Sequence, residues 1–400
     1  MNILLIPENF FPTVGGAEIS VHNIGKFMTK KGHNCYVLIS SNDFNYLKAK
    51  NLIDLFSYKF IIIHSSKIKL GKILKKLKLP YLWIFKSFIK KTQKKYNIQL
   101  WHFNLILFKA FALVPILKKL KIPTIGTYRG VDIQKLPNVN YGIRIDKSVD
   151  AFVSNFINNF DALTSISNSV YKEYKNINIR NEKITKIPNG VDINRFDLSS
   201  KIDRNYDNIT NSKKIILTVG RNHPKKNFDL IPKIIKKLSK IRTDFVWFIV
   251  GAGNEKIIEE GRIIGVSEYI KVFAPNFNIH NNKLEFPSQK IINFYKVSDV
   301  FVFPTLIETF GNIYLESMAA NLPIVTTDAP GARDIIKNNF NGLVSSIGDV
   351  ESLAFNTNLL LTNNKLRKSL IKNGRNFIKD FDWELVSAKF EDLYKKAINS

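Results

Sequence analysis

Short, nearly continuous apolar runs alternate along this chain with longer stretches in which apolar residues recur every three to four positions. That is the pattern of buried strands separated by amphipathic helices. In the first half, residues 3–6, 36–40, 60–64, 100–103, 124–128 and 162–165 predict strands, with one more near Ala151. Helices are predicted over residues 16–30 and 108–119. The scheme repeats from Ile215, with strands at 215–220, 245–250, 300–303 and 324–327 and a helix carrying Leu230, Ile231, Ile234, Ile235 and Leu238. Such alternation implies parallel sheets covered by helices on both faces. The polar segment 197–214 and the pair Asn189-Gly190 read as linker and entry loop. Val386, Phe390, Leu393 and Tyr394 give the tail the spacing of an amphipathic helix. No short-period repeat occurs, which excludes solenoids and propellers.

Four hundred residues at 45% hydrophobic build two cores more naturally than one. The expected division is 1–190, 191–380 and a final helix over 381–400 that packs back on the first domain. The single cysteine, Cys35, falls in the second predicted strand, whose outer bounds are residues 33–41, can form no internal disulfide and fits a reducing compartment. The N-terminus lacks a basic segment and a long apolar stretch, so it reads as a first strand and not as a signal peptide. No apolar run approaches the ~20 residues needed to span a bilayer.

Charge changes the picture. Sixty basic residues stand against 33 acidic ones, a net charge of +27, which favours anionic partners. From Leu55 through Val131 there is no acidic residue at all, yet the stretch is rich in lysine. Leu70, Ile73, Leu74 and Leu77 recur at helical spacing, and Tyr81-Leu-Trp83-Ile-Phe85 adds aromatic bulk. Apolar and aromatic groups beside lysines describe a helix lying on an anionic leaflet, with Lys72, Lys75, Lys76, Trp83, Phe85, Lys90 and Lys91 as the candidate membrane residues. The alternative is that the lysines merely solvate ordinary helices. No nucleic-acid partner is expected, because no binding module accompanies the charge.

The candidate chemistry lies mainly in the second half. Val300 to Phe303 runs into Pro304-Thr-Leu-Ile-Glu308-Thr-Phe310-Gly311-Asn312-Ile313-Tyr-Leu-Glu316, with the two glutamates eight positions apart around a Phe-Gly turn that opens a small-residue helix. Amide groups at a helix start carry the positive end of its dipole, so Phe310, Gly311, Asn312 and Ile313 could hold a phosphate. Glu308 would face what the phosphate carries, and Glu316 could grip a ribose. Upstream, a buried strand ends in Gly220-Arg221 and Lys226 follows five residues later, placing two cations where a departing diphosphate needs them. Gly251 and Gly253 close the next strand in a tight turn.

Together these segments resemble the retaining glycosyltransferases of family 4, which have the GT-B fold. Ile187-Pro-Asn-Gly-Val-Asp192 looks like that family's interdomain segment, and Phe11-Pro-Thr-Val-Gly15-Gly16-Ala-Glu18 like its N-terminal loop. The resemblance implies an α/β architecture of two Rossmann-like, doubly wound domains facing a central cleft. It implies transfer from a nucleoside-diphosphate sugar to a saccharide acceptor, lipid-linked in surface-polysaccharide or lipopolysaccharide synthesis, at the inner face of the cytoplasmic membrane. Neither cofactor nor metal is expected, because in the family cations take the metal's place. Arg221, Lys226 and the helix-start amides would stabilise the leaving group, with Gly15, Gly16, Gly220, Gly251 and Gly253 allowing close backbone approach. Where many relatives carry His-Gly-x-Asp, this chain has Arg129-Gly130-Val131-Asp132. A guanidinium only donates, so Arg129 would bind the donor sugar or an acceptor phosphate, with Asp132 fixing it in a salt bridge, and His102 would be the fallback catalytic histidine. The rival functions are a GT-B nucleotide-sugar epimerase and a catalytically inactive assembly partner.

Overall fold

The structure is a computed structural model that describes residues 1–11, 15–198, 213–274 and 284–399. The chain divides into two compact units, Met1–Asn189 with Trp383–Ser400, and Gly190–Asp382.

The first unit is built on β1 (Asn2–Pro7), β2 (Asn34–Ser40), β3 (Lys59–Ile63), β4 (Leu100–Asn104), β5 (Thr124–Thr127), β6 (Ala162–Ser165) and β7 (Ile184–Lys186). They form one seven-stranded sheet in the order β3-β2-β1-β4-β5-β6-β7, with every pairing parallel. Central strands of such a sheet are covered on both faces, which is why they read as unbroken apolar runs. Ile3, Leu4, Leu5, Leu100, Trp101 and Phe103 are all wholly buried. The last helix, Trp383–Asn399, belongs to this unit, and its Val386, Phe390 and Tyr394 are buried within it.

The second unit repeats the plan with β8 (Lys214–Val219), β9 (Phe245–Val250), β10 (Ile270–Phe273), β11 (Val300–Phe303), β12 (Ile324–Thr327) and β13 (Leu343–Ser345). Its parallel order is β10-β9-β8-β11-β12-β13. In both sheets the winding reverses between the first strand and its later neighbour, β1 beside β4 and β8 beside β11. Open parallel sheets bind ligands outside the carboxyl ends of strands at such a reversal.

The expected α/β architecture holds, with local corrections. The segment near Ala151 is no strand but the helix Lys147–Phe156, started by Asp146, whose carboxylate accepts from the Ser148 and Val149 amides. Its Val149, Phe152, Val153 and Phe156 fall at helical spacing. The edge strands β7, β10 and β13 are short and were not legible. Cys35 sits buried in β2, and its burial pushes the thiol up to about 12. Most of the predicted entry loop lies outside the described residues.

Candidate active site

In the second unit the two motif loops are joined by backbone bonds. The Lys225 carbonyl accepts from the Leu306 amide at 2.8 Å and from the Thr305 hydroxyl at 3.0 Å. This lacing brings the loop after β8 against the loop after β11, so Lys226 Nζ lies 3.6 Å from Glu308 Oε1 and Lys225 Nζ 3.9 Å from Oε2. Lys226 also stacks its ammonium over the Phe303 ring, 4.8 Å from the centroid. Burial opposes the Glu308 charge, but Lys225 and Lys226 outweigh it and hold the carboxyl below its usual range. The same burial lowers the Lys226 ammonium despite Glu308. Arg221, at the end of β8, is exposed and makes no hydrogen bond or ion pair with the described residues.

Two glycines set this geometry. A Cβ on Gly251 would stand 2.0 Å from the Gly220 carbonyl oxygen, so only a glycine lets the β8 and β9 ends close together. A Cβ on Gly331, at φ +80°, would stand 1.9 Å from the Glu308 carbonyl oxygen. Gly331 therefore backs the glutamate loop, which the Glu308 amide also ties to Pro330. Asn254 adds a further brace, its amide donating to Gly220 and Gly251 carbonyls. Gly253 continues the same turn, where the Asn222 amide bonds to Ala252.

Gly311, at φ +89°, opens the helix Asn312–Ala319, and Phe310 before it is buried. One turn in, Glu316 accepts a hydrogen bond from the Tyr295 hydroxyl at 2.9 Å. Burial pushes the Glu316 carboxyl up to about 7, against the pull of that bond and of Arg195 and Lys226. The structure thus groups Gly220, Arg221, Lys226, Gly251, Gly253, Glu308, Phe310, Gly311, Asn312, Ile313 and Glu316 at the strand ends where the winding reverses. Local motifs revealed those residues. Lys225, Asn254, Tyr295 and Gly331 were missed because their parts depend on the folded loops. The chain holds one Asp-x-Asp triplet of the kind that can bind a divalent ion in other transferases, Asp380-Phe381-Asp382. It lies in the turn before the last helix, and among the described residues no three His, Cys, Asp or Glu side chains gather as metal ligands.

The first-unit candidates form a separate group. Gly15 precedes the helix Gly16–Lys30, and a Cβ on it would lie 3.0 Å from Glu18 Oε2. Residues 12–14 of that loop fall outside the described residues. Arg129 and Asp132 follow β5, but the expected salt bridge between them does not form. Asp132 accepts instead from the Ile106, Arg129 and Gly130 amides, while the guanidinium bonds Asn104 and Asn189. Burial raises the Asp132 carboxyl to about 6. The catalytic expectation for His102 is also corrected. It is wholly buried in β4, with its nitrogens 2.7 Å from the Tyr394 and Thr127 hydroxyls.

The basic region folds as helices Ser65–Lys76 and Trp83–Tyr96. Gly71 faces inward, where a Cβ would meet Phe85 at 2.9 Å and Phe108 at 3.0 Å. Almost opposite on the first helix runs an outward stripe of Leu70, Ile73 and Leu77, which are 44%, 46% and 61% exposed. Trp83, which opens the second helix, is 66% exposed. Lys69, Lys76, Lys90 and Lys91 are exposed as well. Two membrane candidates are corrected: Phe85 is core, and Lys75 turns inward over the Phe111 ring at 4.6 Å, where burial lowers its ammonium. Lys72 reaches to 4.0 Å from Glu8. No described helix is long and apolar enough to cross a membrane.

The chain matches the family model described as Glycosyltransferase Family 4 over residues 14–195 and that described as Glycosyl transferases group 1 over residues 199–377. It is 26% identical to an uncharacterised glycosyltransferase of Methanocaldococcus jannaschii, covering 98% of both chains. It is 28% identical to the Escherichia coli UDP-Gal:alpha-D-GlcNAc-diphosphoundecaprenol alpha-1,3-galactosyltransferase, covering 53% of this chain and 54% of the other. In fold it is similar to the Anabaena protein HepE, solved with UDP and glucose, at a TM-score of 0.75 and 16% identity, covering 99% and 100% of the two chains.

Proposed function

Since this chain belongs to the family 4 glycosyltransferases, with the GT-B fold, we propose that it moves a sugar from a nucleoside diphosphate to a saccharide acceptor with retention of configuration and without a metal. The acceptor is lipid-linked, and the reaction belongs to bacterial surface-polysaccharide or lipopolysaccharide assembly at the inner face of the cytoplasmic membrane. The observation that carries the reading is the pair of cations Lys225 and Lys226 at Glu308, between the ends of β8 and β11, with Arg221 near enough to Lys226 for its charge to lower that ammonium. The UDP and glucose bound by HepE and the lipid-diphosphate acceptor named for the E. coli relative support it.

The bond from the anomeric carbon to the diphosphate breaks while one forms to the acceptor hydroxyl. Positive charge builds on the sugar and negative charge on the leaving phosphate. Preorganised cations at that phosphate are the largest source of acceleration available here. Arg221, with no partner to give up among the described residues, and Lys226, braced by Phe303, supply them beside the start of the helix Asn312–Ala319. The departing phosphate takes the acceptor's proton, so no side-chain base is required. Glu308, kept ionised by its lysines, orients the sugar through its hydroxyls, and Glu316 holds the ribose. The outward stripe Leu70, Ile73 and Leu77, together with Trp83 and the exposed lysines, rests on anionic lipid.

The test is a thermal-shift screen against UDP- and GDP-sugars, since a ligand stabilises according to its occupancy, followed by transfer to a lipid-diphosphate-linked saccharide. Stabilisation by one nucleotide sugar with acceptor-dependent transfer is expected. A product epimerised without any acceptor would turn the reading to an epimerase.

A further inference from the structure

Among the described residues Arg129 is a cation with no ion-pair partner; the carboxylates of Asp132 and Glu18 act on it only from further off. Its Nη1 donates to Asn189 Oδ1 at 2.5 Å and its Nη2 to Asn104 Oδ1 at 2.7 Å, both neutral amides. The acid three residues on, Asp132, is committed to backbone amides, and among the described residues no carboxylate lies within ion-pair reach of the guanidinium. Two donors of the cluster, Arg129 Nε and Asn104 Nδ2, are buried with no partner. Folding gains little from such an arrangement: a desolvated charge needs pairing, and an unmet buried donor forfeits the hydrogen bond it made with water. A site that carries this cost is built for a ligand that removes it.

Placement agrees. Asn104 ends β4 beside Pro7 at the end of β1, and Arg129 follows the end of β5, so the cluster sits where the first sheet reverses its winding. Arg129 keeps part of its surface open. A guanidinium presents planar, paired donors that match two oxygens of a phosphate or carboxylate, and it cannot act as an acceptor.

We propose that Arg129 and Asn104 form an oxyanion site in the first unit, which takes a phosphate or carboxylate carried by the acceptor. The second unit has its own cations for the donor diphosphate, which leaves this one for the other substrate. Naming the ligand as the acceptor rests on the transferase reading; the anion site itself does not.

The full chain carrying Arg221→Ala and Lys226→Ala, which strips the donor side, is titrated by calorimetry with inorganic phosphate and with malonate. One of the two is expected to bind still, and to weaken about 10-fold or more when Arg129→Gln is added. Phosphate binding assigns a phosphorylated acceptor, and malonate binding an acidic one. With Arg129→Gln alone, UDP affinity should stay intact, and the melting temperature of the ligand-free protein should hold within about 2 °C, because an unpaired buried cation has been removed. The proposal is overturned by the absence of anion binding in the double variant, by binding indifferent to Arg129→Gln, or by a melting temperature lowered by more than about 5 °C. Loss of UDP binding with Arg129→Gln would assign the anion to the donor, ending the proposal while the transferase reading stands.

Discussion

His102 Nδ1 lies 2.7 Å from the Tyr394 hydroxyl, across 292 positions of sequence. The ring's other nitrogen lies 2.7 Å from Thr127 Oγ1, which in turn bonds Thr164. Burial, helped by the Arg129 charge, pushes the imidazole down to about 3, so it is neutral at physiological pH and joins β4 to the last helix. Tyr394→Phe should strand a buried ring nitrogen and lower stability by about 1–3 kcal/mol in urea unfolding, with turnover of the folded fraction unchanged. An unchanged unfolding midpoint would remove this bond from the ties that hold the helix.

Arg221→Ala, Lys226→Ala and Glu308→Ala should each lower turnover by ~10² or more while far-UV circular dichroism stays that of the wild type. EDTA should leave activity intact. Near-normal transfer by the Arg221 and Lys226 variants would end their assignment to the leaving group, and a strict Mg²⁺ or Mn²⁺ requirement would end the metal-free mechanism.

Donor affinity should depend on pH through Glu316. Its carboxyl, pushed up to about 7 in the free protein, binds ribose hydroxyls as the ionised acceptor. Affinity for the intact nucleotide sugar should therefore fall as pH drops through about 7 and level off above it. Tyr295→Phe removes a bond that favours the ionised form, so the midpoint should move upward while affinity at pH 9 changes little. Calorimetry across this range checks both shifts; a flat profile would rule out the ionised contact.

Vesicle flotation separates the outward stripe from the core beneath it. Leu70→Gln with Ile73→Gln and Leu77→Gln, or neutralisation of Lys69, Lys76, Lys90 and Lys91, should abolish binding to anionic vesicles. Each lysine near such a surface contributes about 1 kcal/mol, and salt should weaken the wild-type binding. Phe85→Ala should instead cost about 3–5 kcal/mol of stability with flotation retained. Equal binding to neutral vesicles would remove the electrostatic part.

What was legible in the sequence follows from range. The central strands announced themselves because burial on both faces demands unbroken apolar runs, whereas edge strands such as Ile184–Lys186, exposed along much of their length, carry no such demand. Ala151 was misread because a short apolar stretch suits strand or helix until Asp146 is seen to cap it. Arg221, Lys226, Glu308 and Glu316 were visible since each motif is local. Gly331 gave no sign, because its need for a missing side chain comes from a carbonyl on another loop. His102 and Phe85 carried suitable chemistry in suitable segments, and only packing reveals that both face inward.

The helix Trp383–Asn399 completes the first unit, yet it is made after the whole of the second. During synthesis the ribosome therefore releases a first unit whose β4 side, with His102 among its groups, lacks its Phe390 and Tyr394 cover until the last residues emerge. That unit reaches its final form only after the chain between has had time to fold, so the order of biogenesis runs from the interior of the sequence outward. A released chain that ends at residue 382 should carry a folded second unit with a first that proteases still cut.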